Sequence, residues 1–169
     1  MKNISAFTLN IFLLVSISII TVDKVSAQEN GIFELKNKNK ILSKTNAKKS
    51  SDRQEFYKLS QKLHTTAYIS NNSVRNTYGD GKVQKITFSD SKSFSILNNN
   101  DYNEVELITI TLKNSSDLNN KLDLTSNKNL GKLKYVFIKC YFKCTENQID
   151  NFIASHPNIR VFYRTETPS

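Results

Sequence analysis

The chain is poor in the residues from which recognisable sites are built. It has four glycines, Gly31, Gly79, Gly81 and Gly131, too scattered to form a phosphate-cradling loop. Cys140, Cys144, His64 and His156 are its only cysteines and histidines. A structural zinc site takes four ligands and a catalytic one three, and two thiols with distant imidazoles make a poor set. G-x-S-x-G, H-E-x-x-H and calcium-loop patterns are all missing. No metal and no cofactor is expected. An enzyme would have to assemble its site from residues far apart in sequence.

A long apolar run is also lacking. The start, MKNISAFTLNIFLLVSISIITVDKVSA, has the three parts of a secretory signal. Lys2 is the positive start, Ile11 to Val22 the apolar core, and Val25-Ser26-Ala27 the small-residue cleavage site. Ser16, Ser18 and Thr21 interrupt the core, which falls short of the roughly 20 apolar residues of a bilayer span. Cleavage near Ala27 is expected, so that the mature chain begins at Gln28. An uncleaved membrane anchor is the alternative. No cysteine follows the cleavage site, so a lipid anchor is not suggested. The expected destination is periplasm, cell surface or medium.

Net charge is +9, unevenly spread. Residues 28–64 carry nine basic and four acidic side chains, residues 65–169 thirteen and ten. The segment ELKNKNKILSKTNAKKSSDRQ has too few apolar groups to offset the entropy of ordering it. Residues 28–51 therefore read as a flexible basic arm before a single α/β domain of residues 52–169, which is long enough for one modest core. Export and the lack of interleaved aromatics argue against nucleic acid. An envelope protein or an anionic surface polymer is the more plausible partner, although a solvated tether suffices to explain the lysines.

A helix is predicted from about Asp52 to Tyr68, with Phe56, Leu59, Leu63 and Ala67 on one stripe and Ser51 or Asp52 as its cap. YGDG at 78–81 is a turn signal. KVQKITFS, EVELITITL and LKYVFIKCYF then read as strands. Their apolar residues repeat: Val83, Ile86, Phe88; Val105, Ile108, Ile110; Leu133, Val136, Ile138. A fourth strand, NIRVFYR, follows about 25 residues later; continuing the last offset unchanged would put Arg164 in an apolar slot. Before it lies a helix capped by Thr145 and Gln148, with Ile149, Phe152 and Ile153 inward and His156-Pro157 as its end. Strand, helix and strand make a βαβ unit. A short helix near Asp117–Leu122 is predicted, capped by Ser115 or Ser116.

Over residues 83–164 this pattern resembles leucine-rich-repeat proteins, whose L-x-x-L-x-L strands recur every 20–29 residues along one face of a solenoid. Ser91, Lys113 and Tyr141 replace the family's usual Asn or Cys, which removes its side-chain ladder. The fold class is thus α/β: a small, partly parallel sheet with βαβ units after one helix, and on the repeat resemblance a short solenoid. The compact α/β domain is favoured.

In an exported chain a lone cysteine pair is most often a disulfide. Four residues of extended strand would hold the Cα atoms about 13 Å apart, so a Cys140–Cys144 bond requires a turn at Tyr141-Phe142-Lys143. A thiol redox centre is the alternative, because Cys144 precedes a helix cap, where thiol pKa values fall.

If Ile108, Ile110, Val136 and Ile138 point inward, alternation turns Thr109, Thr111, Tyr135, Phe137, Lys139 and Tyr141 to the other face. Either the 52–68 helix covers that aromatic surface, or it is a contact site. The resulting reading is an exported, non-catalytic binding module with those six residues as its candidate face. The alternative is a small envelope enzyme or redox protein using Cys140 and Cys144.

Overall fold

The computed structural model describes residues 31–35, 47–98 and 102–166. The expected signal segment and residues 28–30 and 36–46 of the expected arm lie outside them. Among these described residues, nine strands and two α-helices follow in order. They are β1 (Ile32–Glu34), α1 (Ala47–Gln61), β2 (Thr66–Ser70), β3 (Ser73–Tyr78), β4 (Lys85–Phe88), β5 (Leu107–Leu112), β6 (Leu122–Asp123), β7 (Tyr135–Cys140), α2 (Glu146–Phe152), β8 (Ile153–Ala154) and β9 (Arg160–Thr165).

Alternation of β-branched with polar residues makes β4, β5, β7 and β9 strands, and their register follows the apolar repeat. Ile86 pairs with Ile108, Ile108 with Val136, and Val136 with Val161; Phe88, Ile110, Ile138 and Tyr163 form the next row. The last step places Val161 and Tyr163 inward and Arg164 outward beside Lys139, which settles the phase of the fourth strand. The seven-stranded sheet runs β1-β9-β7-β5-β4-β2-β3. All its pairs are parallel except the β2–β3 hairpin. The fold is therefore α/β with a mostly parallel sheet, and β6 and β8 form a small second one.

One face of the sheet carries the main core. Ile86, Phe88, Ile108, Ile110, Val136 and Ile138 meet Leu97, Val105, Leu122, Leu130, Ile149 and Phe152 from the connecting segments. The β7–α2–β9 unit is the predicted βαβ, and Thr145 and Gln148 form the predicted capping box. The helix ends at Phe152 rather than at His156, because Ile153-Ala154 pairs with Leu122-Asp123. Residues Ser115–Asn119 form a 3₁₀ turn, and Asn114 caps it in place of the predicted serines.

The first helix departs most from expectation. It spans Ala47–Gln61, not 52–68, so that Asp52 lies inside it and Leu63 is fully exposed beyond it. Residues 66–70 are a strand because two ladders hold them, one to β3 and one to β4. Asn71 and Asn72 close the hairpin with φ of 50° and 53°, the left-handed pair that two-residue turns need and asparagine tolerates. Within the segment read as an arm, Ile32–Glu34 pairs with β9 and residues 47–51 open α1.

Candidate functional site

The second face of the sheet divides into a covered part and an open part. Over β5, β7 and β9, α1 inserts Phe56 and Leu59 against Leu107, Tyr135, Phe137 and Phe162. The Phe56 ring lies 4.4 Å from Phe162, 5.4 Å from Phe137 and 6.0 Å from Tyr135, centre to centre. Such tilted and edge-on pairs suit aromatic quadrupoles.

Polar contacts fix the same helix at the amino ends of the strands. Glu55 accepts from Lys134 Nζ at 2.8 Å and from the Tyr135 hydroxyl at 3.0 Å. Lys134 also pairs with Glu106 at 2.9 Å, and Asp52 accepts from Arg160 Nε at 3.4 Å. The hydrogen bond from Lys134 holds the Glu55 carboxyl below its ordinary range. Burial, helped by Glu55, pushes the Tyr135 hydroxyl up. Pro157 and Asn158 complete an open depression of about 280 Å³ here. Its charges are already matched to one another, so it acts as a clasp for α1. Open α/β sheets bind ligands outside the opposite, carboxyl ends of their strands.

The open part has a different character. Across the strands, Tyr68 of β2 neighbours Thr87 of β4, then Thr109 of β5 and Phe137 of β7. Lys85 lies one row toward the amino end on β4, and Lys139 one row toward the carboxyl end on β7, beside Thr111. Each lysine is thus a diagonal neighbour of Thr109, within reach for a long side chain. Lys139 Nζ lies 5.7 Å from the centre of the Phe137 ring. The ion pairs of the described residues join Lys82, Lys132, Lys134, Arg160 and Arg164 to carboxylates, and Lys85 and Lys139 take part in none. Among the described residues, Lys85 Nζ donates only a long hydrogen bond, 3.5 Å to Ser60 O. Burial, with repulsion from Lys139, lowers the Lys85 pKa. Thr109 is only 8% exposed and its hydroxyl has no partner among the described residues. Among the described residues no buried side-chain oxygen is sealed off unpaired, so that hydroxyl opens outward.

Of the residues singled out in the sequence, Thr109, Thr111 and Lys139 come together on this open surface. Tyr135 and Phe137 are buried, beneath α1, and Tyr141 is exposed beyond the end of β7. Lys85 and Thr87 join them on this surface without having been singled out, although their alternation with Ile86 and Phe88 carries the signal. Tyr68 was hidden by its assignment to a helix.

Cys140 and Cys144 are bonded, with Cα atoms 6.4 Å apart across the predicted turn. Both are buried, Cys140 at the end of β7 and Cys144 just before the α2 cap. His64 Nδ1 lies 2.9 Å from Gln84 Oε1, and His156 Nδ1 accepts from the Asn158 N–H at 3.3 Å. Among the described residues no three His, Cys, Asp or Glu side chains are grouped to hold a metal, and no helix is long and apolar enough to cross a membrane. No protein-family model, no curated protein and no solved structure matches the chain.

Proposed function

We propose that the chain is an exported, non-catalytic binding module whose contact surface is the open part of the sheet around Thr109. The observation that carries this reading is the pair of lysines, Lys85 and Lys139, which flank a hydroxyl with no partner among the described residues and take part in no ion pair there. Two cations held on one surface cost repulsion, and an anionic partner relieves it. On the resemblance to leucine-rich-repeat proteins, whose parallel strands line one face, this same surface would be the contact face. Export rests on the N-terminal sequence pattern, and a disulfide fits an oxidising compartment. The preferred partner is an anionic polymer of the cell envelope, with the lysines of residues 28–51 adding a salt-sensitive attraction.

The thiol redox alternative is disfavoured by burial. A redox-active pair must meet an incoming thiolate, and Cys140 and Cys144 are 0% and 7% exposed.

Retention of the full chain on cell-envelope material, at low and at high salt, tests the reading. The chain with Lys85→Gln and Lys139→Gln is run beside one with Lys36, Lys38, Lys40 and Lys44 changed to Gln. Shortening the chain to remove the arm is a poorer test, because it also removes β1 and the start of α1. Loss of retention in the Lys85/Lys139 variant supports the sheet face. Retention that depends only on the arm lysines sinks it.

A further inference from the structure

Resting on that reading, we infer that the Lys85–Thr109–Lys139 surface binds an acidic carbohydrate, taking the carboxylate of a uronic-acid residue between the two lysines and its hydroxyls on the threonines. The charge requirement comes from Lys85 and Lys139, diagonal neighbours of Thr109 on opposite sides, neither of which takes part in an ion pair among the described residues. The hydroxyl requirement comes from Thr87, Thr109 and Thr111. Thr87 and Thr109 are lateral neighbours, and Thr111 follows on the same strand face. Thr109 is more than nine-tenths buried, and its hydroxyl is unmatched. A hydroxyl both donates and accepts, and a sugar ring offers the same in return. An unmade hydrogen bond at a nearly buried group favours a ligand that completes it.

The remainder of the surface fits a ring rather than a compact anion. The Tyr68 side chain stands beside Thr87, 38% exposed, with the Tyr78 ring edge-on to it at 5.5 Å. An exposed aromatic held in place is an amphipathic platform, apolar on its face and polar at its tip. A phosphate dianion meets fewer of its usual partners. Phosphate sites use helix N-termini, backbone nests or arginine forks. Here the nearby helix end is the C-terminal end of α1, marked by the Ser60 carbonyl near Lys85. That end carries partial negative charge and opposes a second negative charge on the ligand. Arg164 is already paired with Glu166.

Tetragalacturonate is the probe, with maltotetraose as the neutral match and tripolyphosphate as the phosphate match, titrated into the full chain by calorimetry and amide chemical shifts. Tetragalacturonate is expected to shift the amides of Thr87, Thr109 and Lys139. Maltotetraose should bind at least about tenfold more weakly, and Lys85→Gln with Lys139→Gln should weaken tetragalacturonate by a similar factor. Thr109→Val should weaken it severalfold, whereas Thr109→Ser, which keeps the hydroxyl, should restore it; the serine variant controls for packing. Equal binding of maltotetraose, tighter binding of tripolyphosphate, or indifference to the lysine changes overturns the inference. If the lysine variant loses envelope retention while the parent chain ignores tetragalacturonate, the ligand class is wrong and the binding module stands. If envelope retention is also indifferent to Lys85 and Lys139, both readings fall.

Discussion

The ring of Phe56, on α1, lies 4.4 Å from that of Phe162, on β9, though 106 positions separate the two residues in the chain. This contact, with Leu59 on Leu107 and its neighbours, attaches an otherwise polar helix to the second face of the sheet. It also decides which part of that face is open. Without α1, Tyr135, Phe137 and Phe162 would be an apolar patch rather than a core.

Phe56→Ala should therefore act on α1 first and on the sheet second. Truncating a buried phenylalanine costs about 3–5 kcal/mol. Denaturant unfolding should show most of that loss. Amides of α1 should exchange faster than those of β5 and β7, which keep the main core on their other side. Uniformly faster exchange through β5 and β7 would mean that helix and sheet open as one unit.

The clasp beneath α1 predicts a weak acid dependence. Glu55 has a folded pKa depressed below its ordinary 4.5, chiefly by the hydrogen bond from Lys134. A depressed carboxylate contributes stability that is complete above the unfolded pKa and fades as pH falls through the folded one. The side chain is 47% exposed, so screening holds the contribution to about 1 kcal/mol or less. Glu55→Gln should lower stability slightly at neutral pH, and the difference from the parent should shrink as pH falls below the ordinary 4.5 and vanish once the folded carboxyl is protonated. Unfolding free energies at stepped pH check this, and a difference that grows toward acid would contradict it.

Much of the fold was legible because the strands are strongly patterned. Val136, Ile138, Ile108 and Ile110 alternate with outward residues, and one inward face is enough to define register. The α2 cap and the cysteine turn were readable because both are local, each set within five residues. What failed depended on distant partners. Thr66–Ser70 is a strand because β3 and β4 flank it, and in its own sequence Ala67 continued a helical stripe as well as it pairs with Ile86. The open site was half legible for the same reason. Thr109, Thr111 and Lys139 follow from alternation within β5 and β7, whereas which of their neighbours α1 would cover depends on where Phe56 docks.

Two glycines in the turn after β3 give a paired backbone test. Gly79 and Gly81 both have positive φ, +94° and +90°, where a side chain is strained. A Cβ on Gly79 would lie 3.0 Å from Thr65 Cα, whereas a Cβ on Gly81 meets nothing within 4 Å. Gly81→Ala should cost about 1 kcal/mol, and Gly79→Ala measurably more, since backbone at the head of β2 must move. Equal midpoint shifts for the two variants would show that the turn relaxes away from Thr65.

The cysteine pair separates staple from redox centre. Bridging so short a loop removes little unfolded-state entropy, about 2 kcal/mol in the chain-entropy model. Cys140→Ala with Cys144→Ala should therefore fold, lose about that amount, and keep the shifts of the Thr109 surface. Alanine is preferred to serine because Cys140 is fully buried and a hydroxyl there would lack a partner. In the parent chain, mild reductant should leave the bond intact until denaturant is added, since both sulfur-bearing residues are buried. Maleimide trapping before and after denaturation measures this. Rapid labelling of the native chain after mild reduction would mean that β7 and α2 part readily at this point, and would return the thiol chemistry to first place.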